Sequence, residues 1–328
     1  MPKRRGRAPH PGWGQLELAP NQGRHIEILQ EALALAEEDA REAGTVGYAA
    51  WLFTQLALPY RDPGPIPYWE RHNGGLTLRV SPGAVTDPRT GETVEDLAYP
   101  FGVMPRLLFT WMATEAQETM NPVLSLGHSL NEFLCRLGLV NGGGPKGPGL
   151  RLRHQMERLF SCTMTVRAVQ AVGPGISRLR GQPFNVADEY DLWLDHRRPD
   201  DQPLWQSTVT LTPRFYEEIV SSPIPVDLRA LRALRGSPLR LDIYTWLTHR
   251  MHALTKTGRQ ATVSWKALAL QFGGNYDELR MFKRQFLRQL AAVRLVYPLA
   301  DVQPIEAGLV LRPSPPHVPP GRRSVRHG

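Results

Sequence analysis

Thr262-Val-Ser-Trp-Lys-Ala-Leu-Ala-Leu-Gln-Phe-Gly-Gly-Asn-Tyr-Asp-Glu-Leu-Arg-Met-Phe-Lys-Arg-Gln-Phe-Leu-Arg-Gln-Leu-Ala-Ala-Val293 decides how this chain is read. Thr262–Ser264 has the character of a short strand, Trp265–Phe272 that of a helix, and Gly273-Gly274 breaks it. Asn275, with Glu278 three residues on, has the pattern of a capping box. Leu279, Phe282, Phe286, Leu290 and Val293 then step by 3, 4, 4 and 3, which is the apolar stripe of an amphipathic helix. Arg280, Lys283, Arg284 and Arg288 fall outside that stripe, and Lys266 lies on the preceding helix. Downstream, Leu295-Val-Tyr297 and Leu309-Val-Leu311 suggest two strands of a hairpin. Helix, turn, helix and hairpin is the order of a winged helix-turn-helix. There the second helix enters the major groove, and its cations meet phosphates and guanine edges. An ordinary surface helix with incidental cations is the competing interpretation. Four outward cations, a Gly-Gly turn and a following hairpin together favour DNA.

The pattern extends upstream. Ser237-Pro238 supplies an N-cap and a first-turn proline to a helix ending near Leu254, with Leu241, Tyr244, Leu247 and Met251 inward and His249 and His252 at or near the surface. A short helix, Asp227–Leu234, precedes it. A similar plan occurs earlier. A helix carrying Leu130, Phe133, Leu134 and Leu137 closes at Gly138, and the turn Gly142–Gly149 leads into a second helix, Leu150–Phe160. Leu152, Met156 and Leu159 point inward there, Arg151, His154, Gln155 and Arg158 face out, and Arg153 sits at the boundary. Strands are expected near 162–172, 190–195 and 205–211. In the first quarter, a helix spans 25–42 with Ile26, Leu29, Leu33 and Ala36 on one face. Strands follow at 48–58 and 76–80, then a helix at 103–118.

Composition excludes several classes. Hydrophobic residues make up 41% of 328, so the chain can bury a core, while 29 glycines and 30 prolines imply long loops. No apolar run approaches the ~20 residues of a membrane-spanning helix, and the basic N-terminus lacks the apolar stretch of a secretory signal. Cys135 and Cys162 are too few for a disulfide framework or a zinc site and read as core residues. Gly142 and Gly147 have phosphate-loop spacing, but Pro148 and Gly149 stand where Lys and Ser/Thr are needed. Asp188, Glu189, Asp191 and Asp195 could suggest a magnesium nuclease, yet no Lys or His accompanies them, so a solvated cluster is the better interpretation.

The net charge of +8 is unevenly placed. Residues 1–24 and 312–328 carry +4 each. Residues 25–145 carry −8, 146–181 carry +6, 182–235 carry −3 and 236–299 carry +7. Two internal basic blocks, each coinciding with a helix-turn-helix pattern, suggest two places where a polyanion is gripped.

The chain resembles the plasmid-encoded RepA-type replication initiators of broad-host-range Gram-negative plasmids. The resemblance is carried by Ser125–Leu139, Arg153–Cys162, Phe215-Tyr216 ahead of Pro223-Ile-Pro225, and above all Leu239-Arg-Leu-Asp-Ile-Tyr-Thr-Trp-Leu-Thr-His-Arg-Met-His-Ala-Leu254. It continues through Val263–Leu268, Gln271-Phe-Gly273, Phe282–Phe286 and Pro313–Pro316. The resemblance implies a non-enzymatic protein that binds repeated duplex DNA (iterons) at an origin, helps load the host helicase, and represses its own promoter as a dimer. Helices 25–42 and 103–118, in the acidic N-terminal half, either pack on their own domain or offer apolar faces to a second copy.

The expectation is an α+β, mainly helical protein of two tandem winged-helix domains, at 24–221 and 222–312, between a disordered basic arm (1–23) and a disordered Pro-rich basic tail (313–328). The expected DNA-contacting residues are Arg151, Arg153, His154, Gln155, Arg158, Lys266, Asn275, Arg280, Lys283, Arg284 and Arg288. No cofactor or metal is expected. Expected partners are iteron DNA, an operator, host initiator and helicase proteins and a second copy, in the cytoplasm. The alternatives are a stand-alone transcriptional repressor or a metal-dependent nuclease.

Overall fold

The computed structural model describes residues 22–87, 90–126, 135, 138–139, 148–173, 176–192, 207–273 and 278–319. Among these residues helix accounts for 43% and strand for 29%, with fourteen strands in five sheets. The chain is α+β with a large extended component, which corrects the expectation of a mainly helical protein. The excess comes from strands without an alternating apolar pattern, such as Ile176–Phe184, which is exposed at every position but the last.

The first part runs α1 (Gln22–Glu37), β1 (Val46–Ala50), α2 (Trp51–Gln55), β2 (Trp69–Asn73), β3 (Leu76–Ser81), β4 (Gly83–Thr86), β5 (Thr93–Ala98), α3 (Val103–Thr119) and β6 (Val123–Ser125). The middle holds α4 (Pro148–Ser161), β7 (Thr163–Gly173), β8 (Ile176–Phe184), β9 (Ala187–Asp191), β10 (Thr208–Leu211) and α5 (Pro213–Ser221). The last part is β11 (Pro223–Asp227), α6 (Leu228–Leu234), α7 (Pro238–Thr257), β12 (Ala261–Ser264), α8 (Trp265–Phe272), α9 (Leu279–Val296), β13 (Val302–Pro304) and β14 (Gly308–Leu311). The sheets are β2-β3-β7-β8, β6-β10-β9, β12-β14-β13, β1-β11 and β4-β5, and every pair is antiparallel.

Several local expectations change. The strand expected at 48–58 stops at Ala50, where its ladder reaches Pro223, and Trp51–Gln55 turns helical. There the backbone N–H of Leu52 donates to Glu218 Oε1 (3.2 Å). On α1 it is Ile28, with Ala32 and Leu35, that meets the core, whereas Ile26, Leu29 and Leu33 are exposed. The helix carries two overlapping apolar stripes, and contact with α6 and α9 selects the other one. Helix α3 is buried along most of its length, so its apolar face is used within the chain. The strand expected at 295–297 is instead the last turn of α9. Residues 313–319 are not a loose tail. Thr255 Oγ1 and Tyr297 Oη donate to the carbonyls of Ser314 and Pro315 (2.7 and 2.6 Å), and Val318 is buried. The helix expected around Leu130–Leu137 falls almost wholly outside the described residues, but Cys135 is exposed rather than in the core; Cys162 is buried.

The buried side chains form one cluster running from Ile28 to Leu311. Pairing of β1 with β11 joins residues 46–50 to 223–227, on either side of position 221. Beneath it lies a buried ion pair. Arg106 of α3 donates from Nε and Nη2 to the two carboxylate oxygens of Asp242 on α7 (2.7 and 2.8 Å). Its remaining N–H groups reach the carbonyls of Leu58, Pro59 and Gly102. The Asp242 charge, acting against desolvation, holds the guanidinium pKa above its ordinary value.

Candidate nucleic-acid interface

The basic surface at the C-terminal end is built on an aromatic floor. Ser264 Oγ caps α8 by accepting from the Ala267 N–H (3.2 Å). Gly273 ends it, and a Cβ there would stand 2.6 Å from the Ala269 carbonyl oxygen, so the close turn requires glycine. Phe286 of α9 packs against Trp265 and Phe272 of α8 and against Phe282 one turn earlier, and Trp246 of α7 meets Phe272 edge-on, with ring centroids 5.5–6.1 Å apart. Leu290 and Val293 extend this buried stripe. Leu279, expected inward, is exposed at the helix start. Here Glu278 occupies the N-cap position, three residues later than the expected cap; Asn275 lies outside the described residues.

With that face fixed, the opposite one is determined. Arg280, Arg284 and Arg288 are exposed, four residues apart, on the outer side of α9, and Lys266 is exposed on α8. Arg280 has Glu278 at 3.8 Å as its one ion-pair partner among the described residues, both exposed, a contact worth little in water. Lys283 lies at the edge of the stripe, its Nζ 5.0 Å from the Trp265 ring centroid. Hairpin β13–β14 closes the unit, with Trp265 Nε1 donating to the Ile305 carbonyl (3.1 Å). Gly308 is forced by β12, because a Cβ would sit 2.0 Å from the Val263 carbonyl oxygen.

Helix α4 is placed differently. Arg151 is exposed, but the outward placement of Gln155 and Arg158 is corrected. Gln155 Oε1 accepts from the Phe101 N–H (2.9 Å). Arg158 bonds to Glu95 (2.6 Å) and to the Tyr99 carbonyl, and lies over the Phe101 ring. Arg153 is half-buried, 3.7 Å from Glu157. His154 is half-buried too, its pKa lowered by burial and by Arg153 and Arg158. The reason is tertiary: β4, β5 and α3 cover the side that periodicity leaves to solvent, and they bring Glu95 and Phe101 from far upstream.

The acidic group is exposed at Asp188, Glu189 and Asp191, and Asp195 lies outside the described residues. Among the described residues no three His, Cys, Asp or Glu side chains gather as a metal ion requires, and no helix is long and apolar enough to cross a membrane. His249 is half-buried beside Gln55 Nε2 (3.1 Å). Burial first, then Arg250 and His252, push its pKa down to about 4.

The sequence did not single out Arg71 and Gln271. Arg71 of β2 donates from Nη1 to the Gly273 carbonyl and stacks over Trp69, while Gln271 donates to the Thr54 carbonyl (3.1 Å). The end of α8 is thereby held by the N-terminal part of the chain. Nothing local in the sequence marks these pairs, since about 200 residues separate the partners.

Comparison with known proteins places the chain. No curated protein matches its sequence. Two solved structures of domains 2 and 3 of RctB are similar in shape, one of them of selenomethionine derivatives. That one shows 10% identity, covers 80% of this chain and 96% of its own, and has a TM-score of 0.46. The other shows 11% identity, covers 80% and 94%, and has a TM-score of 0.44. The family described as plasmid encoded RepA protein matches residues 99–267, from the residue before Pro100 through the start of α8. That match takes in half of the chain, and the protein therefore belongs to the plasmid-encoded RepA family of replication initiators.

Proposed function

We propose that this protein starts plasmid replication by binding repeated duplex DNA at the origin, with α9 as its sequence-reading helix. The observation that carries this reading is the stripe Arg280, Arg284 and Arg288, exposed on a helix whose other face is locked through Phe286 onto Trp265 and Phe272. A rigid helix with cations on one face suits the major groove, where arginine reads guanine edges and lysine meets phosphate. Lys266 and Lys283 supply flanking phosphate contacts. On α4, Arg151 is free to join them, whereas Gln155 and Arg158 serve packing. Repression of its own promoter, host initiator and helicase partners, and a dimeric form belong to the same proposal. The exposed stripe Ile26, Leu29 and Leu33 of α1 is the surface offered to a second copy.

The test is fluorescence anisotropy with duplexes carrying whichever direct repeats sequencing beside the gene identifies, against scrambled duplexes of equal length. Arg284→Ala is expected to cost about 1–3 kcal/mol on the repeat and far less on the scrambled duplex. Equal affinity of wild type for both duplexes, or an unaffected Arg280/Lys283/Arg284/Arg288 quadruple alanine variant that is still folded, would sink the assignment. Binding to a single operator with no effect on origin opening would favour a repressor.

A further inference from the structure

The four-stranded sheet continues outward from the helix-turn-helix. Its strand β2 packs on α8 and holds the Gly273 turn through Arg71. Strands β3, β7 and β8 follow in order, so β8 lies three strand spacings, roughly 14 Å, from β2. The pairing of β3 with β7 ends at Leu76 opposite Ala168. Beyond it the Val169 N–H still donates to the Gly75 carbonyl (2.8 Å), and Gln170–Gly173 and Ile176–Arg178 then continue alone as a two-stranded ribbon, about 14 Å past Val169 at ~3.4 Å per residue.

The surface of this ribbon is unusual for one facing water. Val169, Val172, Ile176 and Leu179 are each more than half exposed. Register places Ala168 opposite Arg180, Val169 opposite Leu179 and Gln170 opposite Arg178. One face therefore carries Gln170, Arg178 and Arg180, and the other carries Val169 and Leu179. Arg167, where β3 still covers the sheet, is paired with Glu70 at 2.8 Å. Arg178 and Arg180 are exposed and have no ion-pair partner among the described residues. A bare two-stranded ribbon is marginal by itself, and exposed apolar side chains on one face, with arginines on the other that have no ion-pair partner among the described residues, mark a place where something binds.

We propose that the β7–β8 ribbon is a second DNA contact, lying against the backbone of the duplex that flanks the site read by α9. Arg178 and Arg180, on the same face of the ribbon as Gln170, meet phosphates there. A two-stranded ribbon fits a groove of ~12 Å, and phosphate contacts fix register without reading sequence. Hairpin β13–β14 is less suited to this role, since its turn carries Glu306 and Arg312 is engaged by Asp301 and Gln303. Pairing of β8 with β8 of a second copy is disfavoured, because it would set the arginines of two copies against each other.

This inference rests on the proposed DNA-binding role of α9, and the experiment separates the two. Wild type, Arg178→Ala/Arg180→Ala and Arg284→Ala are titrated with repeat and scrambled duplexes from 50 to 200 mM salt. Oligomeric state is followed by light scattering and fold by circular dichroism. The ribbon variant is expected to lose affinity by the same factor for both duplexes. Two lost phosphate contacts flatten the log–log salt slope by about 1.8, so the loss across this salt range shrinks about tenfold. Its footprint shortens on one flank, and Arg178→Lys/Arg180→Lys restores the slope. An unchanged slope and footprint in a variant that still binds overturns the ribbon assignment alone. A changed oligomeric state with an unchanged slope overturns it in favour of a second copy. Failure of wild type to bind any duplex overturns the α9 reading together with it.

Discussion

Asp242→Ala removes the carboxylate from the most deeply buried ion pair described in the chain. Both partners are more than nine-tenths buried, and Asp242 accepts two charge-assisted hydrogen bonds from Arg106. After the substitution the guanidinium keeps its three backbone carbonyl contacts but loses its counter-charge in an interior where water cannot replace it. Removing one member of such a pair costs about 3–5 kcal/mol. With ~2.1 cal/mol/K of unfolding entropy per residue, a chain of 328 residues has about 0.7 kcal/mol/K in total, so 4 kcal/mol lowers Tm by roughly 6 °C. Differential scanning calorimetry reads this directly. Because α3, the 58–59 loop and α7 meet at Arg106, the loss should lower one main transition rather than split off a minor one. An Arg106→Met/Asp242→Leu double variant should recover most of the stability, since an apolar pair of similar volume replaces a buried ion pair at little cost. A shift below ~1 °C for Asp242→Ala, or a double variant worse than the single, would refute the reasoning.

Other predictions follow from the same coordinates. His317 sits against Tyr297, with its Nδ1 2.7 Å from Tyr244 Oη in a hydrogen bond, and burial, helped by Arg229 and opposed by the Asp227 charge, lowers its pKa to about 4. The folded state thus favours the neutral ring, so its contribution is full above the unfolded value of ~6.5 and is lost as pH falls from there to about 4. That loss is at most ~3 kcal/mol, and roughly 1–2 kcal/mol with partial solvent contact. Urea midpoints between pH 7.5 and 5 should fall less in His317→Phe than in wild type, and parallel profiles would exclude the histidine as the cause. A thiol reagent at pH 8 should label Cys135 within minutes and leave Cys162 untouched until unfolding, because Cys162 is buried and its thiol pKa is pushed up to about 12. Equal labelling rates would contradict that placement. Gly273→Ala should cost more than an ordinary glycine replacement, since its Cβ meets backbone at 2.6 Å. An unchanged Tm would show that the turn relaxes freely.

The stretch from 237 onward was legible because its structure follows local rules. Ser264 and Gly273 bound α8 where polar cap and glycine are required, and the 4-4-3 spacing from Phe282 to Val293 dictates which side of α9 meets solvent once any core exists. The cations left outside that stripe were therefore identifiable without coordinates, and so was the family. The stretch from 148 to 161 obeys the same periodicity, yet its polar face is closed over. Periodicity says which side chains share a face, but not whether β4, β5 and the 99–102 segment will cover it. Only the folded chain brings Glu95 and Phe101 to Arg158 and Gln155. The same holds for Arg71 on the Gly273 turn, for Arg106 and Asp242 separated by 136 positions, and for the stripe of α1 that faces inward. Strand β7 was expected at 162–172, but its partner β8 escaped the sequence for the opposite reason. A strand exposed on both faces has no apolar alternation to announce it, and only its pairing with β7 makes it a strand. Local spacing determined the helices and their candidate DNA face; long-range contacts decided which charges were left for solvent, because burial is a property of the whole fold.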